Sequence, residues 1–237
     1  MRKHWPAILG VLAVIWFVLP ASAADSEDIL KLASKLKDKD IATRRSAATD
    51  LAGMGKEARP AVAALSEALA DKDLFVRRFS AKALGNLGAD AKSAVPALAK
   101  AMKDEDKEVV EAVGVALGRI GKAAVPTLIE NLKASDPLLK LAAAKALVEI
   151  GPDGKEAVPA LVDAFKSRSS ASPGNNPRTR NNSLKKAAAE ALGNIGPDAS
   201  SALPALKEAS EDRQLGRDRE LRQAIQTAMR KIEKSKS

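Results

Sequence analysis

The fold is decided by residues 71–98, DKDLFVRRFSAKALGNLGADAKSAVPAL. Asp73, which can cap a helix, is followed by apolar residues at helical spacing. The run closes on Gly88, which can take the left-handed conformation that ends a helix. Pro96 then suits the first turn of another helix, because its missing N–H would have no intrahelical partner there. The stretch therefore predicts a helix, a break and the start of a second helix.

The same pattern recurs along the chain. Its closing glycines are Gly55, Gly88, Gly121, Gly151 and Gly196, at intervals of 33, 33, 30 and 45 residues. A proline follows each glycine five or eight residues later: Pro60, Pro96, Pro126, Pro159 and Pro204. A sixth, degenerate unit ends the chain. Since one helix pair cannot bury its apolar face alone, we predict an all-α domain over residues 24–237, a right-handed α-solenoid of about six helix pairs.

The full pattern resembles the HEAT repeat, and more narrowly the short bacterial HEAT-like repeats first noted in phycobilisome lyases. In the second unit it is carried by Asp73, Val76, Arg77, Ala81, Leu84, Gly85, Leu87, Gly88, Val95, Pro96, Ala97 and Leu98. The resemblance covers nearly all of residues 26–235 and implies that the second helix of each pair lines the concave face. Such repeats serve as scaffolds, lyases, hydroxylases and DNA-repair modules, so the resemblance alone leaves the function open.

Residues 1–23 have the layout of a secretory signal peptide. A basic start precedes the apolar run AILGVLAVIWFVL at 7–19, and a small-x-small cleavage sequence ends at Ala23. As a helix, the run would rise only about 20 Å, which is short of the roughly 30 Å hydrocarbon core. We expect cleavage after Ala23, export to the periplasm or the medium, and no stable membrane span afterwards. The alternative is a membrane anchor formed by an uncleaved signal.

Cleavage would leave a chain with a narrow chemical repertoire. It would remove every histidine and tryptophan, namely His4, Trp5 and Trp16, and the chain has no cysteine or tyrosine. The mature chain would therefore lack the residues for Ser-His-Asp or Cys-His catalysis and for histidine or cysteine metal sites. We expect no catalytic, cofactor-binding or metal-ligating residue and no cofactor. A lyase- or hydroxylase-like enzyme of the HEAT-like family is the alternative, although the His-Glu iron ligands of family hydroxylases have no counterpart here.

Basic residues recur on the predicted second helices in two adjacent registers. The first register holds Arg44, Arg77, Lys140, Lys185 and Arg222, and the second holds Arg45, Arg78 and Lys186. In the first register, i,i+4 ion pairs are expected with Asp40, Asp73, Asp136 and Asp218, which can also cap their helices. The second register has fewer evident partners, so we expect it to provide the better ligand contacts. All eight residues are candidates for partner binding on a partly basic concave stripe.

The charge of the chain favours an anionic partner. The net charge is +9, and removal of Arg2 and Lys3 with the signal would leave +7. The partner could be an acidic protein, a polyanionic glycan or a lipid surface, and the sequence does not choose among these. Nucleic acid is not expected, because acids are interleaved throughout and the mature chain lacks Trp and Tyr for base stacking. We predict an exported, non-enzymatic scaffold that works as a monomer or within a hetero-complex, with a purely structural module of an envelope complex as a further alternative.

One insertion interrupts the repeats. Residues 167–182, SRSSASPGNNPRTRNN, add about 15 residues to the fifth helix pair. Their content of serine, asparagine, proline and arginine predicts a flexible, solvated loop on one edge of the solenoid.

Overall fold

The computed structural model of the chain describes residues 23–167, 177–212 and 218–234. Within these ranges the chain forms twelve α-helices and no strand, which confirms the all-α prediction. The helices are α1 (Ala23–Ser34), α2 (Ile41–Gly53), α3 (Val62–Ala68), α4 (Leu74–Leu87), α5 (Val95–Ala101), α6 (Lys107–Ile120), α7 (Val125–Lys133), α8 (Pro137–Ile150), α9 (Val158–Lys166), α10 (Pro177–Ile195), α11 (Leu203–Glu211) and α12 (Arg219–Glu233). They form six repeats, each made of an odd-numbered helix and the even-numbered helix that follows it.

The even-numbered helices form one continuous row, which we call the inner row. Each of them packs against the next along the whole series from α2 to α12, whereas neighbouring odd-numbered helices touch at few points. A stack that is packed more closely on one side curves toward that side. The inner row therefore lies on the inside of the curve, and the odd-numbered helices lie on the outside.

A glycine with positive φ separates each repeat from the next. Gly88, Gly121 and Gly151 have φ of 59°, 83° and 63° and ψ of −134°, −142° and −133°. The sequence predicts a left-handed helical residue here, but these ψ values lie far from the left-handed value of about +47°. The observed conformation is accessible to glycine and strongly disfavoured for a residue with a Cβ. Each of these boundaries therefore requires glycine itself.

A short 3-10 segment follows each glycine and absorbs the variation in proline spacing. It spans seven residues where the proline comes eight residues after the glycine, as in Gly88–Ala94. Where the proline comes five residues after, the segment spans four residues in Gly121–Ala124 and seven in Gly55–Ala61. In the last four repeats the proline then lies in the first turn of the odd-numbered helix, as predicted. The second repeat differs, because Pro60 lies inside its 3-10 segment.

The recurring aspartates cap the inner-row helices, as predicted. The Asp73 carboxylate accepts a hydrogen bond from the Val76 N–H at 3.1 Å, and that of Asp218 accepts one from Leu221 at 3.0 Å. Equivalent caps are formed by Asp40, Asp106 and Asp136. Each cap satisfies a backbone donor that the first turn of a helix leaves free, and is worth about 1 kcal/mol.

Small residues let consecutive inner-row helices come into backbone contact. A Cβ added to Gly85 would lie 3.0 Å from the Ala116 Cα, and one added to Gly193 would lie 2.8 Å from the Ala228 Cα. Glycine is needed at these positions for steric reasons, because any side chain would force the two helices apart. The motif Leu-Gly-Asn-Leu/Ile-Gly therefore contains two glycines with different tasks: the first allows helix contact and the second forms the turn.

The core is a continuous layer of alanine and larger aliphatic side chains between the two rows of helices. One stretch of it, Lys107–Lys133, is long and apolar enough to cross a membrane by length and composition alone. That stretch contains α6, a 3-10 turn and α7, and half of its apolar window is buried inside the fold. Such burial is typical of core helices.

Two sequence predictions fall wholly or partly outside the described residues. The signal peptide prediction concerns residues 1–23, of which the structure describes Ala23 alone. Of the predicted loop at 167–182, residues 168–176 also lie outside the description, whereas 177–182 already belong to α10. Helix thus replaces loop over these last residues. Pro177 is a favourable first helical residue, and the Asn182 side chain donates a hydrogen bond to the Asp218 carboxylate of the next repeat.

Gly193→Ala tests the steric role of the inner-row glycines. We expect it to be about 1–3 kcal/mol less stable than Gly53→Ala, because its new methyl group meets the Ala228 backbone whereas nothing lies within 4 Å of a Cβ on Gly53. Both variants gain helix propensity, so the difference between them isolates the packing cost. Urea unfolding of the two variants provides the measurement. Equal stabilities would contradict backbone contact at Gly193.

Candidate protein-binding face

The first-register arginines tie consecutive repeats together. The Nε and Nη2 atoms of Arg44 donate to the Asp71 carboxylate at 2.8 and 3.2 Å. Arg77 repeats the arrangement one repeat later, with bonds of 2.7 and 2.9 Å to Asp104. The side chain of Arg44 is 4% exposed and that of Arg77 is 12% exposed. Both guanidinium groups therefore join one repeat to the next and offer little surface to a partner.

The predicted i,i+4 pairing is wrong for these two arginines. The side chains of Asp40 and Asp73 cap their own helices, while the arginines reach forward to an aspartate that stands two residues before the next cap. The forward geometry is favoured because the planar guanidinium can donate two parallel hydrogen bonds to one carboxylate. Arg44 and Arg77 also donate to backbone carbonyls in the preceding turn, which fixes the fork in place.

One repeat boundary lacks both members of this ionic pair. In the third repeat, buried Val110 holds the arginine position, and in the fourth repeat Ala134, packed against the core, holds the aspartate position. Loss of only one member would leave an unpaired charge in a buried site, which is strongly destabilising. The joint replacement supports a structural role for this register.

The second-register cations are also paired across repeats, contrary to the expectation that they have few partners. Arg45 donates to the two carboxylate oxygens of Asp73 at 2.9 and 2.6 Å. Arg78 pairs with Glu108, and the Lys186 Nζ lies 2.6 Å from a carboxylate oxygen of Glu220. The hydrogen bond that Lys186 donates to the Glu220 carboxylate raises the pKa of Lys186. At least a third of each cationic side chain stays exposed, so contact with a partner remains open, but a neighbouring acid offsets each charge.

The other three candidates lie in different environments. The Lys185 side chain is buried, its Nζ donates to the backbone carbonyl of Phe165, and it lies 5.3 Å from the centroid of that ring. Lys140 is half-buried, and Arg222 is exposed. Of the eight candidates, Arg44, Arg77 and Lys185 therefore support the fold, whereas partner binding by the other five stays a prediction.

An aromatic and cationic cluster occupies the amino-terminal part of the inner row. We call it the Phe75 cluster, and it contains Arg45, Phe75, Arg78, Phe79 and Lys82. The guanidinium carbons of Arg45 and Arg78 lie 4.5 and 5.6 Å from the Phe75 ring centroid, and Arg78 and Lys82 also lie over Phe79. Phe75 is 39% exposed. The cluster therefore presents an aromatic surface bordered by positive charge, held in place by cation–π contacts.

An apolar groove lies further along the inner row, between α6 and α8. We call it the Val115 groove. It has a volume of about 180 Å³. Val115, Leu138 and Leu141 line it together with glycine and alanine of the same helices, and the charged residues at its edge are Glu111, Lys145 and Glu149. An apolar cavity of about 150 Å³ holds a benzene molecule, so this volume suits one large apolar side chain. Val115 itself is 48% exposed.

A second, polar groove of about 590 Å³ lies between α10 and α12. The Lys186–Glu220 pair borders it, and so does Asn194, which donates to the Val148 carbonyl and accepts a hydrogen bond from Lys231 at 2.7 Å. Because these polar groups bond to one another, the groove leaves few of them available to a partner. Its hydrogen bonds join neighbouring repeats, and few of its polar groups are left to bind a partner.

The apolar side chains of this face are not evident from the sequence alone. The helical pattern does not distinguish four of them from core positions: Phe75, Val115, Leu138 and Leu141. A signal was present, however, because Val115 stands nine residues after its capping aspartate, where the neighbouring repeats carry Lys82 and Lys145. An apolar residue at a register that is charged in adjacent repeats indicates an exposed apolar site.

Comparison with protein families decides the identity of the repeats. The family model for HEAT repeats matches residues 29–116 and 95–172, and the model for PBS lyase HEAT-like repeats matches residues 184–212. The chain belongs to the HEAT-repeat family. This confirms the resemblance stated from the sequence. No curated protein matches the HEAT-repeat chain significantly.

Solved structures share the fold of this HEAT-repeat protein at low sequence identity. An engineered protein is 24% identical with a TM-score of 0.55, the alignment covering 87% of this chain and 97% of that one. A designed armadillo repeat protein in complex with peptide (KR)4 is 19% identical with a TM-score of 0.57, covering 86% and 99%. The complex of CpcE and CpcF of phycocyanin lyase from Nostoc sp. is 23% identical with a TM-score of 0.52, covering 92% and 78%. At such identities, these likenesses establish the solenoid fold alone.

A double-mutant cycle tests the ionic tie between repeats two and three of the HEAT-repeat protein. We expect Arg77→Val to lower the free energy of unfolding by on the order of 3 kcal/mol, because Asp104 would lose its cation in a mostly buried site. The double variant Arg77→Val/Asp104→Ala copies the natural Val110 and Ala134 combination and should recover at least half of that loss. Urea unfolding of the single and double variants measures the coupling. Losses that simply add would show that the two groups act independently.

Acid should weaken the HEAT-repeat stack through its capping aspartates. The hydrogen bond from Arg45 lowers the pKa of Asp73, and hydrogen bonds from the backbone N–H groups of Thr43 and Leu221 lower the pKa values of Asp40 and Asp218. A carboxylate whose pKa is lower in the folded chain stabilises it fully above the ordinary value of about 4, and this stabilisation is lost as the pH falls through the folded-state pKa.

We therefore expect the free energy of unfolding to fall below about pH 4. Arg45→Met removes the largest cause of the Asp73 shift, so this variant should be less stable than the wild type near pH 6 and should lose less stability as the pH falls below about 4. Urea unfolding between pH 2 and pH 6 measures both curves. Identical curves for the wild type and Arg45→Met would disprove the link between Arg45 and the Asp73 cap.

Proposed function

We propose that this HEAT-repeat protein is an exported, non-enzymatic scaffold that binds a protein partner along its inner row. The observation that carries the proposal is the exposure of large apolar side chains on that row. Among the described residues, the large apolar side chains with the greatest exposure are Leu30, Ile41, Phe75 and Val115. The last three lie on α2, α4 and α6, which are consecutive inner-row helices. Apolar side chains gathered on one face mark an interaction surface.

The chemistry of this face supports a protein partner over a simple polyanion. The arginine ladder is paired with carboxylates of the next repeat, so it does not form a continuous positive stripe. The inner row presents aromatic and apolar surface with arginines beside it, and aromatic residues and arginine are enriched in protein interfaces. A flexible polyanion would gain little from Phe75, Val115 or the leucines. An acidic protein segment with apolar side chains would use both kinds of contact.

The composition of the chain supports a non-enzymatic role. A mature chain that starts after Ala23 has no histidine, cysteine, tryptophan or tyrosine. Within the ranges that the structure describes, no group of three or more histidine, aspartate or glutamate side chains gathers as a metal site. The designed armadillo protein of similar fold is in complex with a peptide. By analogy, we propose a peptide-like segment of a partner protein as the ligand of this solenoid.

The amino-terminal sequence supports export. Its basic start, short apolar run and Ala21-Ser22-Ala23 ending favour a cleaved signal over a retained anchor. Export also suits a chain without cysteine, since no thiol can mispair in an oxidising compartment. The mature scaffold would then work in the periplasm or outside the cell.

Crosslinking and capture from the exported fraction of the native host test this function. The tagged chain is recovered from that fraction, where its intact mass should correspond to a start at Ala24. Its crosslinked partners are then identified by mass spectrometry. We expect Phe75→Ser/Val115→Ser to reduce recovery of the main partner at least fivefold, because the variant removes apolar surface from the inner row.

Leu30→Ser provides the matched control. Leu30 is 53% exposed, but it lies on α1, outside the inner row. This variant should retain the partner at the wild-type level. Thermal unfolding of both variants shows that they are folded. Equal loss in both variants, or loss in neither, would contradict binding through the inner row.

A further inference from the structure

We propose, resting on the function above, that the Val115 groove receives one apolar side chain of an extended acidic peptide segment of the partner. Lys82 and Lys145 would bind carboxylates on either side of that anchor. The occupant is thus defined by its chemistry: a single large apolar side chain with an acidic residue before it and another after it. The segment would cross α4, α6 and α8 of the inner row.

The placement of these residues brings the required groups together. Lys82, Val115 and Lys145 each stand nine residues after the aspartate that caps their helix, on three consecutive inner-row helices. Val115 and Lys145 line the same groove with Leu138 and Leu141. Lys82 belongs to the preceding helix and has an exposed side chain. Across three repeats, the inner row therefore presents a cation on α4, the apolar groove at α6, and a second cation on α8.

The charges around the groove favour an acidic occupant. Two acids stand at its rim, but both are already paired: Glu111 with Lys107 at 3.4 Å and Glu149 with Arg119 at 3.5 Å. By contrast, neither Lys82 nor Lys145 forms an ion pair with any residue that the structure describes. The charge left uncompensated at the groove is therefore positive. Carboxylates on the ligand would supply the missing partners, with a contribution that salt screens.

The spacing of the helices sets the spacing of residues in the ligand. Packed helices lie about 8–10 Å apart, and an extended chain advances about 3.3 Å per residue. The groove lies between α6 and α8, so Lys145 is beside it and Lys82 is one helix further away. We therefore expect one acid about two residues from the apolar anchor and the other about four residues from it on the opposite side.

Two synthetic peptides test the site directly. The first contains Glu-Thr-Ser-Thr-Leu-Ser-Glu and the second the reverse order, so that both chain directions are sampled. Fluorescence anisotropy of each labelled peptide is measured with the full mature chain. We expect one of them to bind saturably, and replacement of its leucine by serine or of its glutamates by lysine should weaken binding at least tenfold. Binding should also weaken as salt is raised.

Protein variants assign the binding to these residues. Lys82→Glu/Lys145→Glu should weaken peptide binding at least tenfold, and Val115→Asp should abolish it. Lys100→Glu/Lys207→Glu provides a control with the same change in net charge on α5 and α11, outside the inner row, and should stay within twofold of the wild type. Circular dichroism and thermal unfolding show whether each variant keeps its fold.

Three results would overturn the proposal. They are the failure of both peptides to bind saturably, equal weakening by the inner-row and control charge reversals, and self-association of the chain that is lost in Val115→Asp. The last result would assign the groove to a second copy of the chain. If partner capture depends on Phe75 and Val115 while the peptides fail, the scaffold function stands and this ligand is wrong.

Discussion

The inner-row helices approach to backbone contact through glycine and alanine, and this close approach governs the rest of the structure. At Gly193 and Ala228 an added methyl group would lie 2.8 Å from the neighbouring backbone. Large side chains are consequently confined to the layer between the two rows or to the exposed surface. A valine or phenylalanine that points outward from the inner row is therefore not needed for packing, which supports the proposal that Phe75 and Val115 contact a partner.

The close spacing of the inner-row helices also determines which charged side chains pair with one another. An arginine on one inner-row helix can reach the turn before the next one, so Arg44 and Arg77 use their charge to couple repeats. The excess of basic residues in the sequence does not translate into an equally basic binding surface. Two lysines without an ion-pair partner among the described residues, Lys82 and Lys145, lie near the Val115 groove. Composition alone does not distinguish them from other exposed lysines.

The architecture could be predicted from the sequence, because each boundary of a repeat is determined by residues that interact with their near neighbours in the chain. Asp73 caps its helix, Gly88 forms the turn that follows, and Pro96 lies in the first turn of the next helix. Each of these effects involves only residues close by in the sequence. The partners of Arg44 and Arg45 could not be predicted in this way, since Asp71 and Asp73 lie almost thirty residues away and become neighbours only when repeats stack. The nearer aspartate, four residues before the arginine, already uses its carboxylate to cap the helix. The apolar face was missed for the same reason: exposure is a property of the stack.

The exchange of an arginine–aspartate pair for Val110 and Ala134 makes the junctions of this solenoid unequal. In a linear array, each repeat is stabilised by its neighbours. The interactions at a junction therefore determine how the stability of the adjoining repeats depends on temperature and salt. The junctions between repeats one, two and three depend on mostly buried ion pairs, whereas the junction between repeats three and four relies on apolar packing and an exposed Arg119–Glu149 pair. Cooling weakens the stabilisation that apolar packing provides. The junction that holds the Val115 groove should therefore be more sensitive to cooling than the two junctions before it.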